Sequence, residues 1–380
     1  MEARHVNFEL DDYQRDLVES VREVGAKEFG ERFAPTKEGL PRAQLRMLAD
    51  AGYAGMMIGQ EDGGQGGTLL DAVLALEAMA AVSSAGADCL QALNFGAVQQ
   101  LMRHGSDRQR MKFLPDLLSG QKIVTIAMSE PAAGSDVASM ETVALVDGAA
   151  VVLNGRKIFT SNADVADYFL VWANFGTSPS DIGSVVVERD TSGFSIDTSH
   201  SFMSGERYGM LYFDDCRVPN DYILVQDHGL RRMMAVFNVE RLGNAARSLG
   251  YGAAALRLSL NYAKARVQFG RALAEMQGLQ WRLAEMKMKI DSARLLLYRA
   301  AATAASGIPT ALDSSLAKLS CNRAGYEVAH DAMQIMGGYG YDDESDVNYI
   351  YRRTRGWLIA GGTVEQMLNR IAREMLRSGP

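Results

Sequence analysis

A glutamate stands on the apolar side of a predicted helix in the last third of the chain. In the segment MMAVFNVERL (233–242), Glu240 follows Met233 by seven residues, Val236 by four and Phe237 by three. Residues at these spacings share one helix face, so the carboxylate lies among apolar side chains. A buried charge is costly unless it is compensated, and a dry setting raises the pKa of a carboxyl group. Glu240 is therefore a candidate general base, although a buried ion pair with a neighbouring arginine would produce the same pattern.

A second candidate site is a loop of small residues that follows a predicted strand. The segment AMSEPAAGSDVAS (127–139) has few bulky side chains, so its backbone N–H groups can approach an acceptor-rich ligand closely. Ser129 and Ser135 add hydroxyl groups that donate and accept hydrogen bonds. A ligand-binding loop and a plain surface turn both fit these residues.

The composition excludes several classes of function. The formal net charge of −7 gives no electrostatic support for nucleic-acid binding. Cys89, Cys216 and Cys321 are far apart and the five histidines form no His-x-x-x-His pair, so no metal site is predicted. No apolar run reaches about 18 residues and the first residues lack the apolar segment of a signal peptide. We expect a cytoplasmic protein with reduced cysteines and no membrane span.

The hydrophobic periodicity divides the chain into helices, a compact β unit and helices again. Helical spacing covers 11–29, 70–83, roughly 88–118, 230–265, 276–305 and 311–335. Strand patterns cover 123–128, 142–146, 149–153, 167–175, 183–190 and 208–219, with a hairpin turn expected at Asp147-Gly148. The sequence thus predicts an α+β chain with an N-terminal helical domain over 1–122, a middle β-sheet domain over 123–229 and a C-terminal helical domain over 230–380.

Four segments, in this order along the chain, resemble motifs of the acyl-CoA dehydrogenase family. They are the loop at 127–139, NGRKIFTSN at 154–162, the stretch from Tyr262 to Gln277, and QIMGGYGY at 334–341. Phe159 stands where many members have tryptophan. The resemblance covers essentially the whole chain, and it implies that the C-terminal helices form a four-helix bundle. No Gly-x-Gly-x-x-Gly follows a strand and opens a helix, so a Rossmann-type nicotinamide site is not predicted.

The resemblance implies FAD as the cofactor. Ser129 would lie near the pyrimidine edge of the flavin, Ser161 near its N5 atom, and Phe159 over a ring face. Arg266, Gln277 and residues 334–338 would reach the pyrophosphate and adenosine of FAD in a neighbouring subunit. The full set of implied cofactor-binding residues is Ile126, Met128, Ser129, Gly134, Ser135, Phe159, Thr160, Ser161, Arg266, Gln268, Phe269, Gln277, Gln334, Gly337, Gly338, Thr363 and Glu365.

The resemblance also implies the reaction, which is α,β-dehydrogenation of an acyl thioester. A base removes the α-proton, hydride passes to flavin N5, and an electron-transfer flavoprotein accepts the electrons. In many members the base is a glutamate directly before a Gly-Thr pair, but that position is Gly361 here, before Gly362-Thr363. In a subset that includes the isovaleryl-CoA dehydrogenases the base belongs to an acidic-Arg pair, which Glu240-Arg241 resembles. Glu240 is therefore the predicted α-proton base, with an internal pair to Arg241 or a reaction without a base as alternatives.

The thioester carrier and the direction of reaction stay open. The loop IAGGTVEQM (359–367) is similar to those of crotonobetainyl-CoA reductases and prolyl-carrier-protein dehydrogenases, so the acyl group could be carried by coenzyme A or by a carrier protein. Further candidates are a family member with other chemistry, namely a reductase, an oxygen-using oxidase or a flavin monooxygenase, and a catalytically silent flavin- or thioester-binding protein. We expect a homotetramer. The implied substrate-binding residues are Ser135, Phe237, Arg241, Gly361, Gly362 and Arg373.

One departure from the family pattern is expected to be of little consequence. Tyr349 and Arg353 replace a basic and an acidic residue of the second signature. We interpret this replacement as an altered pair on the surface.

Overall fold

The computed structural model describes residues 9–36, 38–176, 178, 181–226 and 228–378. The first part of the described chain is helical. Its helices are α1 (Asp12–Val24), α2 (Arg42–Asp50), α3 (Leu69–Ala80), α4 (Ser84–Asn94), α5 (Ala97–His104) and α6 (Asp107–Leu118). Three of them begin with a capping box, in which a short polar side chain satisfies a free N–H of the first turn. These caps are Asp11, Thr68 and Ser106.

The region 88–118, predicted as helical, is divided among α4, α5 and α6. The break between α4 and α5 lies at Gly96, whose φ of 63° is a left-handed conformation that glycine tolerates best. A side chain there would also be crowded, because a Cβ on Gly96 would lie 3.1 Å from Oε2 of Glu240. The turn therefore brings backbone directly against the glutamate.

The middle of the chain forms one eight-stranded sheet. Its strands are β1 (Val124–Ala127), β2 (Val143–Asp147), β3 (Ala150–Ser161), β4 (Tyr168–Asn174), β5 (Ile182–Glu188), β6 (Phe194–Ser201), β7 (Arg207–Pro219) and β8 (Ile223–Val225). The spatial order is β6-β7-β3-β2-β4-β5-β8, with β1 parallel to β4. The predicted hairpin at Asp147-Gly148 is confirmed. Strand β6 was not predicted, because its sequence FSIDTSHS is mostly polar and the strand pairs only with β7 at the sheet edge.

The last part of the described chain is again helical. It contains α7 (Gly229–Ala265), a two-stranded ribbon of β9 (Val267–Gln268) and β10 (Arg271–Ala272), α8 (Gln277–Ala302), α9 (Ala311–Met336), α10 (Gly338–Tyr341), α11 (Asp346–Trp357) and α12 (Val364–Ser378). Helix α7 packs against both α3 and α9. Gly250 permits the contact with α3, since a Cβ on Gly250 would lie 2.6 Å from Cβ of Ala80. Gly252 permits the contact with α9, since a Cβ on Gly252 would lie 3.0 Å from Cα of Gly325. Within the described residues, no helix is long and apolar enough to span a membrane.

The interpretation of Tyr349 and Arg353 as a surface pair is wrong. Arg353 forms ion pairs of 3.2 Å with Asp88 and 3.0 Å with Glu206, and the hydroxyl of Tyr349 donates to Glu206. Arg247 also pairs with Asp88, with its Nη1 2.8 Å from the same oxygen, Oδ1. Because Asp88 lies on α4, Glu206 precedes β7, and both arginines lie on C-terminal helices, this buried charge network joins all three parts of the fold.

We expect Arg353→Met to destabilise the protein strongly, because it leaves two buried carboxylates short of a partner. Loss of one member of a buried ion pair costs about 3–5 kcal/mol of unfolding free energy. Arg217→Met is the matched control, since Arg217 pairs with Asp147 on the exposed surface and such pairs contribute about 0–1 kcal/mol. Denaturant unfolding of the holoenzyme would measure both variants, and equal small losses would contradict a stabilising role of the buried network.

Candidate active site

Glu240 lies on α7 where α4 and α5 meet. Nε2 of Gln91 on α4 donates a hydrogen bond of 2.6 Å to Oε2 of Glu240, and the backbone of Gly96 adjoins the same oxygen. Burial raises the pKa of Glu240 to about 7, against the opposing effects of the Arg247 charge and the Gln91 hydrogen bond. The residue as a whole is half-buried, so it borders accessible space, while protein surrounds its carboxyl group. Such a group can accept a proton near neutral pH.

Arg241 points away from this carboxylate. Its Nε donates to the carbonyl of Gly361 at 3.2 Å, and its Nη1 donates to Oδ1 of Asn238 at 2.7 Å. Burial, and then the Arg370 charge, lower the pKa of Arg241 to about 10. Among the ion pairs of the described residues there is none between Glu240 and Arg241, so the alternative of an internal Glu240–Arg241 pair is not supported by the geometry.

Loop 358–363 holds the position at which many relatives carry their base. Gly361 and Gly362 have φ values of 71° and 104°, and Gly361 has no side chain that could accept a proton. Space around Gly361 is open, since the nearest atom to a Cβ there would be Cε of Lys318 at 4.0 Å. Glu240 therefore has no competing carboxylate at residue 361.

A buried ion pair holds the loop of the first motif. Nζ of Lys157 on β3 lies 2.6 Å from Oε1 of Glu130 and donates to the carbonyl of Met128 at 3.1 Å. Glu130 also accepts hydrogen bonds from the N–H groups of Glu141 and Thr142. Burial alone would raise the pKa of Glu130, but Lys157 and these donors hold it below its usual value, while burial lowers the pKa of Lys157 to about 8. The pair fixes the loop 127–136 against the segment 154–162, as two motifs of one site require.

Sequence reasoning did not identify Lys157 or Glu130 as part of the site. Both belong to the quoted motifs, but Lys157 stands between Arg156 and Ile158, so its immediate neighbours do not indicate that its side chain is buried. Gln91 was missed as well, because no motif includes it and its contact with Glu240 spans 149 positions.

The surface above this pair suits an aromatic ligand rich in hydrogen-bond acceptors. Ser135, Phe159 and Ser161 are exposed and Ser129 is half-buried, so hydroxyl donors and an uncovered ring share this surface. The buried hydroxyl of Thr160 has no hydrogen-bond partner among the described residues. A Cβ on Gly134 would meet no atom within 4 Å, so the loop leaves room for a ligand. These residues fit the flavin part of FAD. Ile126 on β1 and Met128 in the loop are half-buried.

A second group of predicted cofactor residues lies around a separate cleft of about 450 Å³. Arg266, Gln268, Gly337 and Gly338 line it, and the Arg266 guanidinium lies 5.9 Å from the ring centre of Tyr339. No ion pair with Arg266 occurs among the described residues, so its charge is available to an anion. This arrangement fits the phosphate groups of FAD.

The remaining predicted residues lie outside this cleft. Phe269 is 96% exposed, and Gln277 and Gln334 are exposed on α8 and α9. Thr363 directly precedes α12, and its hydroxyl accepts a hydrogen bond of 3.3 Å from the N–H of Gln366. Thr363 therefore caps α12, and Glu365 lies in the first turn of that helix.

The predicted substrate residues differ in their exposure. Phe237 is buried with its ring centre 6.4 Å from that of Trp172, and Arg241 lies 5.5 Å above it. Arg373 is exposed on α12. A further cleft of about 610 Å³, not predicted from sequence, borders Val236 one turn before Glu240.

Three domain models of one family match the chain. The acyl-CoA dehydrogenase N-terminal, middle and C-terminal domains match residues 11–121, 125–216 and 227–376. Together they span nearly the whole sequence and follow the order of the helical, β-sheet and helical parts.

Known proteins resemble the chain over nearly its full length. A 3-sulfinopropanoyl-CoA desulfinase of Paraburkholderia xenovorans is 32% identical over 97% of each chain. The structure of butyryl-CoA dehydrogenase from Megasphaera elsdenii has a TM-score of 0.91 with 31% identity, covering 98% of this chain and 100% of the other. A chain from a structure of the electron transferring flavoprotein of Acidaminococcus fermentans has a TM-score of 0.90 with 30% identity, covering 98% and 100%. The fit of two sites to FAD, the helix–sheet–helix architecture and these likenesses agree, and the chain belongs to the acyl-CoA dehydrogenase family of FAD-dependent oxidoreductases that act on CH–CH bonds.

Proposed function

We propose that Glu240 is the base that removes the α-proton of an acyl thioester in this enzyme. One observation carries the proposal: a carboxyl group with a pKa near 7 faces the interior between α4, α5 and α7, while the other position used for a base in the family is a glycine. Bound FAD would supply the acceptor for the β-hydride. The chain supplies the base, the enclosure and the alignment of the thioester.

Gln91 and Gly96 determine which oxygen of Glu240 can accept the substrate proton and how the carboxylate is enclosed. The Gln91 amide holds Oε2 of Glu240, so Oε1 is the oxygen left for the substrate proton. Gly96 presents no side chain to the carboxylate, and its backbone closes the site on the α5 side. When the α C–H bond breaks, the proton passes to Glu240 and the electron pair moves toward the thioester oxygen as enolate character develops.

The cofactor residues follow from the two surfaces described above. Ser129, Ser135, Phe159, Thr160 and Ser161 would hold the flavin. Arg266, Gln268, Gly337 and Gly338 would bind phosphate oxygens, and they line a cleft of their own, separate from the first surface, which agrees with completion of the site by a second copy. The exposed Phe269 and Tyr339 support burial of this surface in an oligomer, for which a homotetramer is the form that we propose.

Coenzyme A is the thioester carrier that we favour over a carrier protein. The relatives described above are by name enzymes of CoA thioesters, and Arg373 is an exposed cation that forms no ion pair among the described residues, so it can meet a phosphate. An electron-transfer flavoprotein is the proposed electron acceptor, which the likeness to a chain from the Acidaminococcus fermentans structure supports.

A second candidate reaction is removal of a sulfinate group from the β-carbon of an acyl thioester, because one similar protein is a desulfinase. Loss of a sulfinate group from the β-carbon as sulfur dioxide leaves the bonding electrons on that carbon, which then takes up a proton, so this cleavage removes no α-proton. The buried carboxyl of Glu240 favours dehydrogenation, since a reaction without a base gives no reason to keep an acid in this dry setting.

Glu240→Gln should slow anaerobic flavin reduction by acyl-CoA roughly 10²–10⁴-fold, the usual contribution of a general base. The amide keeps the size of the side chain but cannot accept the proton. In the parent enzyme the rate should rise as pH increases through about 7, because only the ionised carboxylate is a base. Stopped-flow absorbance of the flavin measures both effects. Undiminished reduction by the variant, with FAD fully bound, would remove Glu240 from the mechanism.

Gln91→Leu should move the inflection of the same pH profile upward. The Gln91 hydrogen bond favours the ionised form and lowers the pKa of Glu240. When this bond is lost, the effect of burial, which raises the pKa, is less opposed. The matched control is Gln100→Leu on α5, since Gln100 donates to the carbonyl of Met233 and not to Glu240. An unchanged inflection in Gln91→Leu, or an equal shift in both variants, would show that the Gln91 contact does not govern the base.

A further inference from the structure

The cleft of about 610 Å³ that borders Val236 has no part in the proposed mechanism. It lies between the last residues of α5 and the first turns of α7, and we call it the α5–α7 cleft. Residues of the turn 305–308, which connects α8 to α9, also line it. Its volume is within the range of sites that bind small molecules, roughly 300–1,000 Å³.

The charged side chains of the α5–α7 cleft are all basic. Arg103 and His104 end α5, Arg232 belongs to the first turn of α7, and no acidic residue occurs among the described residues that line the cleft. Burial, and then the charges of Arg232 and Arg103, lower the pKa of His104 to about 4, so this ring is neutral near pH 7. Two positive charges therefore act on one small region, and no carboxylate of the described chain pairs with either of them.

Arg103 also holds one wall of the cleft in place. Its Nη1 donates to the carbonyl of Ser306 at 2.9 Å, and its Nη2 donates to the carbonyl of Gly307 at 3.4 Å. A Cβ on Gly307, whose φ is 69°, would lie 2.8 Å from Nη2, so the turn fits closely against the guanidinium. These acceptors are neutral, so they fix the wall without compensating the charge of Arg103.

Arg232 is the cation that a ligand can reach most easily. The residue is exposed, and its guanidinium has no hydrogen-bond partner within the described part of the chain. A guanidinium presents two parallel N–H groups that fit the oxygens of a carboxylate or a phosphate. The positive end of the α7 dipole favours negative charge at the same place.

His104 contributes a buried polar atom without a partner. Its Nε2 is buried and has no hydrogen-bond partner among the described residues. Leaving such an atom unpaired is costly, and a ligand in the cleft could supply the partner. Burial and the two arginine charges keep the ring neutral. A bound anion would offset those charges, and the protonated ring could then donate from Nε2.

The rest of the lining is mostly apolar. Met57, Met102, Val236 and Ile308 line the cleft together with the exposed Ala235. An inorganic anion would gain little from these side chains, whereas an apolar body would remove them from water. Methionine side chains adapt to the shape of such a body. The lining therefore suits a ligand that combines negative charge with apolar surface.

We propose that the α5–α7 cleft binds an organic anion whose carboxylate or phosphate head pairs with Arg232 and whose apolar body lies against Met57 and Met102. The site is separate from Glu240, which follows Arg232 by eight residues on α7, and from both surfaces assigned to FAD. The inference does not rest on the proposed function.

Isothermal titration of the FAD-loaded enzyme with octanoate and with octyl phosphate tests the proposal. We expect at least one of these anions to bind, and the tighter of the two identifies the preferred head. Octanol, which has no charge, and inorganic phosphate, which has no apolar body, should each bind about tenfold more weakly or worse. Arg232→Met should weaken binding of the tighter anion by about tenfold or more, because charge-assisted hydrogen bonds are lost.

Two further variants locate the ligand. Arg231→Met removes the neighbouring exposed arginine, which does not line the cleft, and should leave the affinity unchanged. Ala235→Trp keeps the charges of the cleft but fills its space, so it should weaken binding at least as much as Arg232→Met. Ala235 and both arginines are exposed, and we expect all three variants to retain the FAD content and the thermal midpoint of the parent.

Each other result would overturn the inference. Parent affinity in either Arg232→Met or Ala235→Trp would place the ligand elsewhere on the protein. Equal affinity for octanol would exclude a role for the charge, and equal affinity for inorganic phosphate would exclude a role for the apolar body. Equal weakening by Arg231→Met would show general attraction to a basic surface. A parent enzyme that binds neither octanoate nor octyl phosphate would also contradict the site. The assignment of Glu240 stands or falls separately from all of these results.

Discussion

The architecture depends on one unfavourable placement, a carboxyl group inside a helical interface. Glu240 is tolerated there because the Gln91 amide binds one oxygen and because Gly96 leaves room for it. The same placement raises its pKa to about 7, and this is what makes the group useful as a base near neutral pH. Stability and reactivity therefore depend on the same desolvation.

The surrounding fold holds this interface together through charge as well as packing. Arg247, two turns after Glu240 on α7, is bound to Asp88 on α4, one turn before Gln91. The two contacts, Glu240 with Gln91 and Arg247 with Asp88, connect the same pair of helices. Arg353 extends the network to Glu206 of the β-sheet part. A change in the packing of the three parts would thus shift α4 relative to α7 and so alter the surroundings of Glu240.

The sequence predicted the parts of the site that depend on local pattern. The position of Glu240 among apolar residues, the small-residue loop at 127–139 and the glycine at 361 can be recognised without a structure. Hydrophobic periodicity predicted the helix–sheet–helix order, with which the family motifs agree. The contacts that support them are not local. Gln91 reaches Glu240 and Lys318 reaches Gly362 across long stretches of chain, and Arg353 could not be placed from its own neighbours. Strand β6 escaped prediction because pairing with β7, and not its own residues, makes it a strand.

Whether Glu240 is the base can be decided by exchange of the α-proton of an acyl-CoA with solvent deuterium, measured by mass spectrometry under anaerobic conditions. We predict that the parent holoenzyme catalyses this exchange and that Glu240→Gln does not, although the variant binds FAD and the thioester. Exchange at the parent rate in Glu240→Gln would contradict the assignment of Glu240 as the base.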